Sequence, residues 1–247
     1  MVRRIFVVLP LALLGAAWFY WLLLPWPALL LWIEPDRTSF MQMRASEARG
    51  ADEPFELQHR WVPLDSISPR LRRAVIAAED QRFAEHHGID WNALREELRY
   101  RGDDDFSLFD RDDLRALRRS LTFYFRNRDR IKGRSTITQQ LAKNLYFGSD
   151  RSVLRKLEEF VVARRLELFL GKDRILELYL NLAEWGPGVF GAEAAARRYF
   201  RRSAAALTRD QAASLAATLP HPLTSNPKYR PGRMNWRKSL ILRRMGG

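Results

Sequence analysis

The sequence predicts a mainly α-helical domain preceded by one transmembrane helix. Apolar residues recur at helical spacing through most of the chain after residue 68, whereas the alternating runs typical of half-buried strands are scarce. No charged side chain occurs from residue 5 to residue 33, and residues 5–24 alone have the length that a helix needs to cross a bilayer. The 247 residues are enough for this anchor and one catalytic domain.

The anchor is predicted to end near residue 25. Tryptophan and tyrosine cluster in the second half of the apolar stretch, as they do at headgroup level, and Pro25 and Pro27 interrupt a regular helix. Arg3 and Arg4 precede the stretch, so the positive-inside rule predicts a cytoplasmic N-terminus and an extracytoplasmic domain. A cleaved signal peptide is the alternative, but the apolar run is too long and residues 14–16 make a poor cleavage site.

The chain is expected to divide into three parts. Residues 1–33 form the cytoplasmic N-terminus and signal anchor, residues 34–60 a polar tether without catalytic residues, and residues 61–247 the domain. Within the domain, residues 101–130 mix arginine with leucine and aromatic residues. This pattern predicts an amphipathic segment at a membrane surface, and a solvated helix with a core face explains it equally well.

Charge and cysteine content narrow the classes of function. A formal net charge of +13 favours a polyanionic partner, whether nucleic acid, an acidic membrane surface or a phosphorylated substrate. The absence of cysteine excludes disulfides, thiolate metal sites and a cysteine nucleophile. No zinc site is expected, because histidines are also few.

The first candidate site is the acidic pair Glu79 and Asp80. Ser68 and Pro69 predict the start of a helix, and Glu79 falls near its end. Phe83 and His86 follow closely and supply apolar bulk and a titratable donor, as a catalytic carboxylate requires. Glu79 is therefore the expected catalytic base, with a solvated surface pair as the alternative.

A second stretch, residues 132–144, is rich in hydrogen-bonding side chains that suit sugar hydroxyls and phosphates. It lacks the P-loop pattern, which argues against an NTPase. A helix start capped by Ser135 is the alternative explanation for its first residues. The candidate binding residues are Ser135, Thr136, Gln139, Gln140, Lys143 and Asn144.

A third stretch combines cations with a carboxylate. Arg151, Arg155 and Lys156 precede Glu159 at spacings that place them on neighbouring positions of one helix. A surface ion-pair ladder is the usual meaning of such a pattern. Arginine forks and a lysine can equally hold a pyrophosphate.

Together these stretches resemble the family 51 glycosyltransferases, the peptidoglycan transglycosylases. The family's first motif, Glu-Asp-x-x-Phe-x-x-His-x-Gly, is met at residues 79–88, and its second, Gly-x-Ser-Thr-Ile-x-Gln-Gln-x-x-Lys-Asn, at residues 133–144. The third, Arg-Lys-x-x-Glu, is met at residues 155–159, and the fourth falls within residues 175–200. Two departures are Gln211, where the family usually has Glu, and a longer segment between the first two motifs.

The resemblance implies a lysozyme-like helical fold with a small membrane-touching lobe, here residues 101–130, and a monofunctional enzyme. It implies that Glu79 deprotonates the acceptor hydroxyl during polymerisation of lipid II into β-1,4 glycan, with inversion and release of undecaprenyl pyrophosphate. Glu159 would be the second carboxylate. The implied substrate-binding residues are Asp80, Phe83, His86, Ser135, Thr136, Gln139, Gln140, Lys143, Asn144, Arg151, Arg155 and Lys156.

The implied setting is the bacterial inner (plasma) membrane, with the domain in the periplasm. The expected partners are lipid II, the growing glycan strand and membrane lipids, but not nucleic acid; cell-wall synthesis or division proteins stay open. No cofactor is expected to be required, and a divalent cation at the pyrophosphate stays open. The alternatives are a lytic muramidase, which also relies on a glutamate, and a basic membrane scaffold or nucleic-acid binder without enzymatic activity.

Overall fold

The structure is a computed structural model, and it describes residues 14–102, 107, 110–127, 135–148 and 152–246. It is mainly helical, as predicted. The helices are α1 (14–23), α2 (Ser39–Gly50), α3 (Pro69–Glu79), α4 (Trp91–Glu97), α5 (Arg111–Asn127), α6 (Ile137–Tyr146), α7 (Val153–Phe169), α8 (Lys172–Leu182), α9 (Ala192–Phe200), α10 (Arg209–Thr218) and α11 (Gly232–Arg244). Short 3-10 helices occupy Pro27–Leu31, Leu64–Ser66 and Ala204–Ala206.

The apolar anchor ends where the prolines predicted. Helix α1 stops at residue 23, and a 3-10 helix begins at Pro27. The segment Leu14–Leu31 has a mean hydropathy of 1.5 and is long and apolar enough to cross a membrane. Its large side chains are mostly exposed, including Trp18 and Phe19, which fits a segment surrounded by lipid. The first thirteen residues of the predicted anchor region lie outside the described residues.

The end of the anchor is fastened to the domain by two arginines. Arg165 on α7 is only 4% exposed, and its guanidinium donates to the carbonyl oxygens of Trp21 and Leu24. The same guanidinium lies against the rings of Trp21 and Trp26, at 4.4 and 4.1 Å from their centroids. Arg174 on α8 donates to two carbonyls around the end of the following 3-10 helix. Backbone carbonyls at a helix C-terminus have no partner within the helix, and here two arginines of the domain donate hydrogen bonds to them.

The segment predicted as a tether is folded onto the domain. Helix α2 packs against α6 and buries Phe40 and Met41 in the core. Strand β1 (Gln58–His59) pairs in parallel with β3 (Val189–Phe190), which pairs antiparallel with β2 (Glu184–Gly186). Residues 39–50 and 58–59 therefore pack against the domain and do not form a free tether. The sequence did not predict this because α2 is short and mostly polar, and its few apolar residues are buried only by contact with distant parts of the chain.

Two central helices, α6 and α8, carry the core that positions the site. α6 packs against α7 and α8, while α3 packs against α10, which also contacts α11. The C-terminal end of α3, the N-terminal end of α6 and the middle of α7 converge through side-chain hydrogen bonds. Side chains that are fully buried at the centre include Ile137, Leu141, Leu166, Ile175, Tyr179 and Trp185.

Helix α5 lies within the segment predicted to be amphipathic. Leu114 and Leu121 are 41% and 43% exposed, whereas Asp113 and Ser120 are buried. Asp113 accepts hydrogen bonds from the Tyr100 hydroxyl and the Ser107 backbone, which ties α5 to the segment after α4. The helical prediction is confirmed for residues 111–127, and contact with a membrane stays a prediction. The acidic run at residues 103–105 lies outside the described residues.

Candidate active site

Glu79 is the last residue of α3, as predicted. Ser68 caps the helix by accepting from the backbone N–H of Arg70, and Pro69 occupies its first position. The Glu79 side chain is only 10% exposed. Its Oε1 accepts from Arg237 Nη2 at 2.7 Å, and its Oε2 accepts from Gln140 Nε2 at 3.0 Å. The Glu79 carboxylate is therefore fixed by two hydrogen bonds where α3 meets α6. The alternative that Glu79 and Asp80 are a solvated acidic pair on the surface is excluded.

Asp80 joins α3 to α6. Its carboxylate is 7% exposed, accepts from His86 Nε2 at 2.9 Å and accepts from the backbone N–H of Ile137 at 3.0 Å. Ile137 is the first residue of α6, where a helix favours negative charge. This contact brings the end of α3 to the start of α6 and so places Glu79 beside Gln140.

A capping box starts α6. Thr136 Oγ1 accepts from the backbone N–H of Gln139 at 3.1 Å, and Gln139 Oε1 accepts from the backbone N–H of Thr136 at 3.1 Å. The cap is Thr136, so the alternative that placed it at Ser135 is wrong by one residue. Thr136 Oγ1 also donates to the carbonyl of Gly88 at 2.6 Å. Gly88 has φ +89°, and a Cβ there would lie 3.0 Å from the Ala163 carbonyl oxygen.

The cations of the third stretch gather around a buried carboxylate. Glu159 is 2% exposed, and its oxygens accept from Arg155 Nη1 and, at 3.0 Å, from Lys156 Nζ. Burial, together with the charges of Arg155 and Lys143, lowers the pKa of Lys156 to about 8. A carboxylate this deeply buried is not part of a surface ion-pair ladder, which excludes that alternative for Glu159.

Ser135 connects the carboxylate Glu79 to the cations. Its carbonyl oxygen accepts from Gln140 Nε2 at 3.2 Å, and the same Nε2 contacts Glu79. Its hydroxyl oxygen accepts from Lys156 Nζ at 2.8 Å. A small cavity of about 50 Å³ opens at this point. It is lined by Ser135, Thr136, Gln139, Lys156 and Phe160, with Ile89, Asp90, Leu94 and Glu97 opposite.

Lys143 adds a cation from α6. Its Nζ lies 5.2 Å from the centroid of the Phe40 ring, and burial with the charge of Arg155 lowers its pKa. Arg44 of α2 lies over the same ring and binds Glu184 in a bidentate pair, at 3.0 and 2.9 Å. Within the described ranges Lys143 forms no ion pair, so its charge is available to an anionic ligand.

A protein-family model described as Transglycosylase matches residues 48–103 and 103–246. The chain belongs to the transglycosylase family. The match begins upstream of the first motif and covers all the motif stretches, although not Arg44 of α2, so the family predicted from the motifs is confirmed.

Three relatives of this transglycosylase are each named biosynthetic peptidoglycan transglycosylase. The protein of Bordetella pertussis (strain Tohama I) is 42% identical over 244 residues, which cover 98% of this chain and 90% of the relative. That of Herminiimonas arsenicoxydans is 43% identical over 212 residues, covering 86% and 82%. That of Thiobacillus denitrificans is 40% identical over 220 residues, covering 88% and 84%.

The predicted site residues fall into two groups in this transglycosylase. One group surrounds the junction of α3, α6 and α7: Glu79, Ser135, Gln140, Lys143, Arg155, Lys156 and Glu159. The other consists of buried side chains. Asp80, Phe83, Thr136 and Gln139 hold the loop after α3 or the start of α6, with His86 on Asp80, and Asn144 is buried in α6. Contact with substrate stays a prediction for both groups, and Arg151 lies outside the described residues.

Phe83 and His86 have packing roles that the motif alone did not reveal. Phe83 is 3% exposed, and the ammonium of Lys172 lies 4.4 Å from its ring centroid. The same ammonium donates to the His86 carbonyl oxygen and to Glu167. These contacts bind the loop after α3 to the start of α8, and they favour support of Glu79 over direct contact with a ligand.

Sequence reasoning gave no site role to Arg237, Arg44 or Glu184, and Tyr179 entered it only as part of the fourth motif. Arg237 is one of 42 basic residues, and no spacing ties it to a carboxylate 158 positions earlier. Arg44 lies in the predicted tether and before the region that the family model matches.

The departure at Gln211 has a simple explanation, because Gln211 completes a capping box with Thr208, a role that Glu and Gln fill equally.

Proposed function

We propose that this transglycosylase polymerises lipid II into β-1,4 glycan strands, with Glu79 as general base and undecaprenyl pyrophosphate as leaving group. One observation supports this most strongly: Glu79 and the cation cluster are joined through Gln140 and Ser135. A base for a sugar hydroxyl and positive charge for a pyrophosphate thus lie a few hydrogen bonds apart.

The proposed step is a single displacement. The acceptor 4-hydroxyl oxygen attacks the anomeric carbon of the donor, the bond from that carbon to the pyrophosphate oxygen breaks, and its electron pair leaves with the pyrophosphate. Glu79 takes the hydroxyl proton on a lone pair that Arg237 and Gln140 do not occupy, since each carboxylate oxygen has two. Attack opposite the leaving group inverts the configuration from α to β.

The leaving pyrophosphate requires positive charge in place before the bond breaks. Lys143, Arg155 and Lys156 supply it, and Glu159 positions the last two by accepting from both. The proposal needs no cofactor. A divalent ion on the pyrophosphate stays open, and polymerisation measured with and without a chelator decides it.

The deciding experiment gives the purified full-length protein either lipid II or finished glycan strands. We expect lipid II to be consumed into lengthening strands. Shortened strands with lipid II untouched would instead indicate a lytic muramidase, which needs a catalytic glutamate but no pyrophosphate site. No change in either substrate would indicate a non-enzymatic scaffold.

Substrate affinity is expected to weaken as the pH rises through about 8. Lys156, whose pKa lies at about 8, is cationic below that value and loses its charge above it. The KM for lipid II should therefore rise between pH 7 and pH 9. The Lys156→Arg protein should show a shallower rise over the same pH range, since arginine stays charged. Parallel rises in both proteins would contradict a role for Lys156.

We propose a single-pass protein of the bacterial inner membrane with its domain in the periplasm. The apolar segment up to Leu31, the arginines before it and a cell-wall substrate support this arrangement. The lobe is then expected to rest on the membrane. Open cavities of about 500 and 410 Å³ lie along α5, and arginines dominate one side of the helix: Arg115, Arg118, Arg119 and Arg126.

Membrane contact of the lobe can be measured because the chain has no cysteine. A fluorophore on Leu121→Cys should be quenched by lipid-borne quenchers in vesicles of acidic lipid. The matched probe on Arg119→Cys, on the opposite side of the helix, should be quenched much less. Equal quenching at both positions would favour the solvated-helix interpretation of this segment.

A further inference from the structure

Tyr179 lies in the middle of α8 and is 1% exposed. Its hydroxyl donates to Gln140 Oε1 at 2.9 Å. Burial, reinforced by the negative charge of Glu79, raises the pKa of Tyr179 well above its ordinary value, although Arg237 opposes the shift. The hydroxyl therefore keeps its proton at every pH at which the enzyme works, and it remains a donor toward Gln140.

The donor from Tyr179 decides which way the Gln140 amide points. With its oxygen on Tyr179, the amide nitrogen faces Glu79 Oε2 at 3.0 Å and the Ser135 carbonyl oxygen at 3.2 Å. Both of these neighbours are acceptors, so both N–H groups are used. A flipped amide would place its oxygen against two acceptors and leave the tyrosine proton without one.

We propose that Tyr179 is a positioning residue for the base: its hydroxyl fixes the amide of Gln140, and that amide holds the carboxylate of Glu79. The proposal rests on Glu79 acting as general base. Tyr179 acts only through Gln140, because its side chain is enclosed in the core and cannot reach a substrate.

The charged and titratable groups around the hydrogen bonds that link Tyr179, Gln140 and Glu79 come from several helices. Arg237 of α11 holds the other oxygen of Glu79, and Asp80 follows Glu79 at the end of α3. Both act on Tyr179 electrostatically. Neither is changed by removal of the tyrosine hydroxyl, so a phenylalanine at position 179 isolates the effect of the amide.

The test is Tyr179→Phe in the full-length protein. We expect kcat for lipid II polymerisation to fall about tenfold, while KM changes less than about twofold, as for an interaction that matters chiefly in the transition state. The acidic limb of the pH profile of kcat/KM should move to higher pH, because a freely rotating amide no longer stabilises the ionised carboxylate. Gln140→Leu, which removes the amide, should move the limb in the same direction.

The matched control is Tyr199→Phe. The Tyr199 hydroxyl donates to the Trp185 carbonyl oxygen at 2.9 Å, so this variant also loses one hydrogen bond from a largely buried tyrosine, but one that contacts neither Glu79 nor Gln140. It should keep the wild-type pH profile even if its melting temperature falls.

Two results would overturn the proposal. One is a wild-type pH profile in the folded Tyr179→Phe protein. The other is a loss of activity in Tyr179→Phe that is matched by Tyr199→Phe at equal loss of stability. If Tyr179→Phe does not fold, a wild-type pH profile in Gln140→Leu still overturns the proposal, because the amide through which Tyr179 acts would then have no effect on Glu79. Full activity of Glu79→Gln is a different outcome, which would reject Glu79 as the base.

Discussion

The Glu79→Gln protein is expected to polymerise lipid II about 10²- to 10⁴-fold more slowly than the wild type, the range for loss of a general base. An amide of the same size cannot take the acceptor proton. Its oxygen can still accept from Arg237 and its surroundings stay filled, so folding and membrane insertion should be retained. The rate is measured with fluorescent lipid II under single-turnover conditions.

The control for this variant is Glu85→Gln, which changes an exposed carboxylate in the loop after α3. We expect the control to polymerise at the wild-type rate. A Glu79→Gln protein that polymerises equally well would remove Glu79 from the mechanism, whereas failure of both would indicate damage to the loop.

The second large effect is expected for Glu159→Gln. Its two cations, Arg155 and Lys156, would lose a carboxylate that is almost fully buried. Removing one partner of a buried ion pair lowers the free energy of unfolding, and we expect a loss of about 3 kcal/mol here. This is the lower end of the usual range, because the Lys156 side chain is 33% exposed. Polymerisation should slow at least about tenfold, since two cations of the proposed pyrophosphate site lose the group that positions them.

Glu193→Gln separates stability from activity in this experiment. Glu193 is 3% exposed, pairs with Arg197 at 2.7 Å and accepts from the backbone N–H of Ala204, all away from Glu79. Denaturant unfolding should show a comparable loss of stability in both proteins. Only Glu159→Gln should lose polymerisation beyond what its folded fraction explains, and equal activity in the two would argue that Glu159 is purely structural.

The sequence predicted what depends on local pattern. Ser68 and Pro69 marked the start of α3, and the uncharged stretch before Glu34 marked the anchor. Motif order also identified the helices that meet at the site. Local pattern was less exact at the start of α6, because Ser135 and Thr136 are both capping residues and only the backbone geometry selects one.

Contacts between distant segments could not be predicted. Nothing near Arg237 distinguishes it from other arginines, yet it holds one oxygen of Glu79. Helix α2 looked like a linker because its two buried residues, Phe40 and Met41, are too few to form a visible apolar face. Single-sequence periodicity records which residues prefer burial, but it does not record which partner buries them.

The arginine that fastens the anchor lies on the same helix as the cation cluster. Arg165 and Glu159 are six residues apart on α7, or about 9 Å along the helix axis. A transmembrane helix tilts when the thickness of the bilayer changes. If α1 spans the membrane as proposed, the contacts of Arg165 with Trp21 and Leu24 would transmit such a tilt to α7, which also carries Glu159. Bilayer thickness would then be one of the quantities that set the height of the proposed pyrophosphate site above the lipid headgroups.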